Sequence, residues 1–208
     1  MSTDYARARR LLARRDPVLR ELMRVHGPCG LADAQHTDPF RALVSAIISQ
    51  QLSTRAAATI KARLDHLAGG PLTPRRLAAI DDERLRGVGL SRQKIAYIRD
   101  LCNRVSSGQL ALDHLDAMTD EEVVGALTSV KGIGRWSAEM FLIFRLHRPD
   151  VLPVGDLGIV VAVQRAYKLR IRPKPERLRK MGESWRPYRS VASWYLWRSL
   201  DNEPVQAS

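Results

Sequence analysis

In the stretch TSVKGIGRWSAEMF, Thr128 to Phe141, two glycines stand one residue apart at the start of what otherwise reads as a helix. Gly132 and Gly134 admit backbone angles closed to other residues, and they let the main chain approach a ligand with no Cβ in the way. N–H groups at the helix N-terminus that follows are then available to hold a phosphate. Lys131 and Arg135 flank the pair with positive charge. A dinucleotide-binding turn would need a strand leading in and a third glycine, and a P-loop would end in Gly-Lys-Ser/Thr; neither pattern is present. An interhelical turn that uses glycine only for its geometry remains the alternative.

The charge balance favours a polyanionic partner. Lys and Arg total 34 against 22 acidic residues, a formal net charge of +12, while 45% of the 208 residues are hydrophobic, enough to bury a core. A generally basic surface without such a partner would carry the same numbers. Cys29 and Cys102 have no second cysteine near them, which excludes a cysteine-built zinc or iron–sulfur site and favours a reducing compartment. His26, His36, His66, His114 and His147 show no metal-ligand spacing, so no catalytic transition metal is expected. The arginine-rich amino end holds Asp4 and Asp16 and lacks the apolar run of a signal sequence. No apolar stretch approaches the roughly 18 residues that a membrane span needs.

The elements that must position the glycine turn are helical. Leu11, Leu12, Val18, Leu19, Leu22 and Met23 recur at helical spacing, broken at Asp16-Pro17 and ended by GPCG. In DPFRALVSAIISQQ, Asp38 is the N-cap and Phe40, Leu43, Val44, Ile47 and Ile48 share one face, which predicts a core helix. Ser53 restarts the chain as a helix, Thr73 caps PRRLAAI, and Ser91 opens SRQKIAYIRDLCNRV. TDEEVVGALTSV carries its acidic residues in the first turn, where they complement the helix dipole. LGIVVAVQRAYKLR fits either a helix or a buried strand, and no partner strand exists elsewhere, so it too is read as a helix. The fold class is therefore all-α, with about ten helices. LRGVGLSRQKIAYI echoes VKGIGRWSAEMFLI 45 residues earlier, which suggests related helix-turn-helix units.

With its flanks included, the pattern becomes specific. LTSVKGIGRWSAEMFLIF, then DVLPVGD, then WRPYRSVASWYLW resembles in order and spacing the helix-hairpin-helix DNA glycosylases of the 3-methyladenine DNA glycosylase II (AlkA) type. RALVSAIISQQLSTRAAATI resembles that family's helix leading to its DNA-wedge loop. The likeness covers roughly residues 16 to 200 and leaves no room for the β-rich amino-terminal domain of the longer bacterial members. It implies a two-lobed helical bundle with the active site in the cleft between lobes. Residues 1–50 with 155–208 would form a terminal lobe, and 51–154 a central lobe holding the helix-hairpin-helix at about 120–146.

The resemblance also implies roles. Asp156 matches the catalytic aspartate, whose carboxylate would stabilise the positive charge that builds on the deoxyribose and could orient the attacking water. As the residue before Leu157, Asp156 is equally placed to cap a helix. Trp136 stands where strand-cutting relatives carry a Schiff-base lysine, which implies a monofunctional enzyme without AP lyase activity. Trp136 and Trp197 match pocket tryptophans whose indoles attract a flipped, cationic base, and core anchoring is the alternative for each. Met140 and Gln50 join them in the base pocket. Leu52, with Gln51, matches the wedge that enters the duplex.

Lys131, Gly132, Gly134, Arg135, Arg189 and Ser190 are implied phosphate contacts. The carbonyls of Thr128, Val130 and Ile133 match a site for a Na or K ion, and no cofactor is required. The expected partner is double-stranded DNA containing alkylated bases, among them 3-methyladenine, 7-methylguanine, 1-methyladenine and ethenoadenine. The protein would act as a monomer in the cytoplasm of a bacterium, or in a nucleus. A non-catalytic helix-hairpin-helix DNA-binding protein is the alternative function, and the presence of Asp156 with both tryptophans counts against it.

Overall fold

The computed structural model describes residues 4–33 and 38–201. These form twelve α-helices and a few 3₁₀ turns, with no β-strand among the described residues. In chain order the helices are α1 (Tyr5–Arg15), α2 (Pro17–His26), α3 (Pro39–Ser49), α4 (Thr54–Ala68), α5 (Pro74–Ala78) and α6 (Asp82–Gly87). They continue as α7 (Arg92–Ser106), α8 (Asp120–Thr128), α9 (Arg135–Phe144), α10 (Leu157–Ala166), α11 (Pro175–Gly182) and α12 (Arg189–Arg198). Two compact units result, one of residues 1–35 with 142–208 and the other of residues 36–141.

In the first unit α12 is the central helix, packed on α1, α2 and α10. Ser190, Val191, Ala192, Ser193, Tyr195 and Leu196 are all buried, so α12 is enclosed around most of its circumference. Asp16 makes the break between α1 and α2 a defined joint. Its Oδ1 accepts the Val18 and Leu19 N–H groups as the α2 N-cap, and its Oδ2 accepts Trp185 Nε1–H at 2.9 Å and the Tyr167 hydroxyl. Burial first, and then the Asp16 carboxylate, push the Tyr167 hydroxyl well above its ordinary pKa. Trp185 is fully buried.

The second unit is organised by α7, which packs on α3, α5 and α6. The five apolar residues predicted to share one face of α3 are all buried, because α3 lies on both α4 and α7. Thus α3, which the family resemblance groups with a terminal lobe, packs among helices of the second unit. The caps read from sequence at Ser53, Thr73 and Ser91 are formed, each accepting a backbone N–H of the first turn; Thr119 with Glu122 closes a further, reciprocal capping box on α8 that the sequence reading did not name. Asp81 caps a further short helix, α6, that the sequence pattern did not single out.

Candidate active site

The glycine turn joins α8 to α9. Gly132 has φ 81°, in the left-handed region, and a Cβ there would lie 2.1 Å from Cδ2 of Tyr97 on α7. Glycine is therefore required at 132 twice over, by backbone angle and by the aromatic ring beneath it. Gly134 differs. It is outside the left-handed region, and a Cβ added there would meet nothing within 4 Å. No internal contact demands a glycine at 134, and the open side it leaves is the side from which another molecule's backbone could approach.

The turn is fixed from α7 and from the end of α3. Asp100 Oδ2 accepts the Lys131 N–H and Arg104 Nε–H, each at 2.9 Å. Burial opposes ionisation of Asp100, but these hydrogen bonds and the charges of Arg104 and Lys131 outweigh it and hold the carboxyl below its ordinary pKa. Gln50 Nε2–H donates to the Gly132 carbonyl at 2.7 Å. Gln50, expected in the base pocket, thus has its amide N–H committed to the turn. Between α3 and α4, Gln51 takes φ 57° and Leu52 is 38% exposed, so Leu52 is a surface leucine and not a core one. Trp136, in the first turn of α9, is 49% exposed and likewise does not act as a core anchor. Met140 is half-buried on the same helix.

Among the expected phosphate contacts the structure separates two classes. Lys131 is exposed. Arg135 is paired with Glu121, Nη1 to Oε2 at 3.1 Å, and donates from Nε to Glu139 at 3.2 Å, so its guanidinium is already neutralised. Arg189 donates from Nε to Asp150 Oδ1 at 2.8 Å and from Nη2 to the Asp150 carbonyl at 2.6 Å. Ser190 is 1% exposed; its hydroxyl donates to the Arg148 carbonyl and accepts the Val151 N–H. In this structure, then, the side chains of Arg189 and Ser190 are engaged within the fold. These residues staple the start of α12 to the loop at 148–151, which leads towards Asp156.

Asp156 is the N-cap of α10, as its position before Leu157 predicts, and its Oδ1 accepts the Ile159 N–H at 2.7 Å. The same oxygen accepts Trp197 Nε1–H at 2.9 Å. The Trp197 ring in turn stacks on Phe144, with centroids 5.7 Å apart and planes 30° apart. Two donors converging on one oxygen fix the plane of a carboxylate, which a cap alone does not require. Sequence reasoning missed Gly158 here. A Cβ at 158 would lie 2.9 Å from Asp156 Oδ1 and 3.2 Å from Trp197 Cδ1, so the carboxylate–indole pair can sit where it does only because residue 158 has no side chain. The one signal in the sequence was a glycine inside a helix start, two residues past the aspartate.

Residues 44–187 match the family described as HhH-GPD superfamily base excision DNA repair protein. The chain belongs to that superfamily. A crystal structure of a DNA-3-methyladenine glycosidase from Bacillus halodurans superposes with a TM-score of 0.85 at 38% identity, covering 97% of this chain and 92% of that one. The 3-methyladenine DNA glycosylase of Schizosaccharomyces pombe, solved in complex with abasic DNA, gives a TM-score of 0.79 at 30% identity and covers 94% and 97% of the two chains. A putative DNA-3-methyladenine glycosylase of Bacillus subtilis is 32% identical over 169 residues; that match takes in 78% of this chain and spans 59% of the relative's length.

The turn at 130–134 between α8 and α9 and the Asp156 carboxylate both fall within the matched residues. Among the described residues no group of histidine, cysteine, aspartate and glutamate could hold a metal ion, and no helix is long and apolar enough to cross a membrane. The hairpin offers neutral carbonyls instead. Thr128 closes α8, so its C=O has no helical partner. The Val130 C=O accepts the Ile133 N–H and keeps its second lone pair. With Ile133, this is a donor set without carboxylates, which suits a monovalent ion better than a divalent one.

Proposed function

We propose that the chain is a monofunctional DNA glycosylase of base excision repair. It flips alkylated bases, 3-methyladenine among them, out of duplex DNA and hydrolyses the N-glycosidic bond to leave an abasic site. The observation that carries this reading is the Asp156 carboxylate held at Oδ1 by both Trp197 and Ile159. Relatives named as 3-methyladenine DNA glycosylases support it, and so does one solved with abasic DNA, which is the product of such a reaction.

Departure of the base builds positive charge on the deoxyribose, and a carboxylate of fixed orientation stabilises that charge without reorganising. The same carboxylate can orient or deprotonate the attacking water. The exposed indole of Trp136 supplies an electron-rich face for a base carrying positive charge. Leu52 fills the gap the base leaves. At the hairpin, the open side of Gly134 admits a phosphate to the N-terminus of α9, and Lys131 adds its charge. A Na or K ion on the carbonyls of Thr128, Val130 and Ile133 would supply further positive charge beside that phosphate. With Trp136 in place of a lysine no covalent imine can form, so the abasic strand is left uncut.

The test is Asp156→Asn, which keeps the size and capping ability of the side chain but removes its charge. Single-turnover release of ethenoadenine, a neutral base, should fall by about two to four orders of magnitude while folding and DNA binding persist. Borohydride should trap no enzyme–DNA adduct. Full activity of the variant would leave Asp156 as a cap only and overturn its catalytic assignment, whereas no base release by the wild type would return the protein to the class of non-catalytic helix-hairpin-helix binders.

A further inference from the structure

We infer that Lys94 is a positioning residue for the DNA wedge, holding the turn that carries Leu52 rigidly against the end of α3. The inference rests on the glycosylase reading above and adds to it the device that keeps the wedge from yielding.

The turn from α3 to α4 is short, and its own backbone closes it with one hydrogen bond, from the Leu52 N–H to the Ser49 carbonyl at 3.2 Å. Helix α3 ends at Ser49, Gln50 is extended with φ −54° and ψ 129°, and Gln51 occupies the left-handed region at φ 57° without being glycine. The carbonyls at a helix C-terminus lack partners within the helix, and they carry its partial negative charge. Lys94, three residues into α7 from the Ser91 cap, supplies what is missing. Its ammonium donates to the Ile48 carbonyl at 2.6 Å and to the Gln50 carbonyl at 2.8 Å. From the other side, Gln50 Nε2–H is tied to the Gly132 carbonyl of the hairpin at 2.7 Å. Residue 50 is thereby gripped through its main chain by α7 and through its side chain by the hairpin, and Leu52 emerges two residues later.

A leucine that replaces an extruded base pushes against stacked base pairs, and unstacking a step costs a few kcal/mol. A turn free to fold back would relieve that push, and the base would return to the stack. Lys94 opposes this by fixing the backbone just before the left-handed residue. It touches neither the base nor the sugar, so its loss should matter only where a duplex has to be opened.

The test compares Lys94→Met with the full-length wild type, alone and combined with Leu52→Ala. Single-turnover release of one alkylated base is measured from duplex and from single-stranded oligonucleotide. Lys94→Met is expected to slow release from duplex by about tenfold, within the range of coupling between contacting residues. Release from single strands should stay within about twofold, and the substitution should add nothing in the Leu52→Ala background. Equal losses on both substrates, or a full further loss in Leu52→Ala, would show that Lys94 only stabilises the fold and would overturn the proposal. Lys94→Leu, which also lacks a donor, serves for the same comparison if the methionine variant does not fold.

A second readout needs no turnover. 2-Aminopurine placed opposite an abasic analogue should brighten when the wild type binds and stay dark with Lys94→Met at saturation. Undiminished brightening with Lys94→Met would refute the proposal even for a protein that releases no base. Failure of the wild type to release any base, with the fluorescence behaviour intact, would instead refute the glycosylase reading alone.

Discussion

Gly158→Ala should separate catalysis from stability in one step. Residue 158 is helical, with no unusual backbone angle to preserve, and alanine in such a position usually stabilises a helix by about 0.5–1 kcal/mol. The added methyl carbon, however, would lie 2.9 Å from Asp156 Oδ1, 3.2 Å from Trp197 Cδ1 and 3.3 Å from Trp197 Nε1. A carboxylate on a loose side chain would swing away at little cost. This one cannot, because Oδ1 is tied at 2.7 Å to the Ile159 N–H and at 2.9 Å to the indole. The pair must therefore move together by a few tenths of an ångström. Since about 1 Å of misplacement can cost about a hundredfold in rate, that shift should cost roughly three- to thirtyfold. Single-turnover base release from a duplex with one lesion measures the loss, and a thermal melt checks that the midpoint moves by less than about 4 °C. Wild-type rates in the alanine variant would mean that the position of Asp156 does not set the rate, and the catalytic assignment would fall with it.

At the hairpin, Gly132→Ala should destabilise the protein by more than about 1 kcal/mol, since it adds a Cβ at φ 81° and 2.1 Å from Tyr97. Gly134→Ala should melt like the wild type and lose DNA affinity by anisotropy; matching behaviour of the two variants would refute the division of labour between these glycines. Replacing Lys131 should reduce the salt slope of DNA binding by about one, whereas replacing Arg189 should leave that slope unchanged and lower stability, because Asp150 loses a partner. Ser193→Ala should raise the melting midpoint by about 2–4 °C, because the Ser193 hydroxyl is fully buried with no hydrogen-bond partner. Burial, then the charge of Arg198, hold the His26 pKa below its ordinary value of 6.5 despite the opposing Asp201. The fold therefore favours neutral His26, and its contribution is intact above pH 6.5 and declines as the pH falls below it; in His26→Gln, urea midpoints should fall less between pH 7 and pH 5.5.

Local signals were legible in the sequence and non-local ones were not. The α3 face, the Asp38, Ser53, Thr73 and Ser91 caps and the helical state of residues 157–166 each depend on residues within one or two turns of each other. The same local reasoning made Asp156 a cap, and it was correct. That Asp156 Oδ1 also accepts an indole N–H 41 residues away has no periodic signature. Neither does the ring of Tyr97 under Gly132, nor the reach of Lys94 to α3, 44 and 46 residues back. A glycine pattern shows that a Cβ is unwelcome. Only the fold shows whether the objection comes from inside, as at 132 and 158, or from a molecule yet to arrive, as at 134.

The charge of +12 illustrates the same limit in electrostatics. Composition counts Arg135 and Arg189 as equivalent to Lys131. In the fold, Arg135 is held between Glu121 and Glu139, and Arg189 lies on Asp150 with Arg186 on the same carboxylate. A guanidinium's planar fork suits it to such fixed pairs, while an ammonium on a flexible stem remains available at the surface. On the proposed reading, net charge would draw the protein to DNA from a distance, while the local grip would fall to backbone amides at a helix start and to a lysine whose own N–H, not its side chain, is bound to Asp100. For that reason a glycine with open space above it says more about where a phosphate would sit than the count of arginines around it.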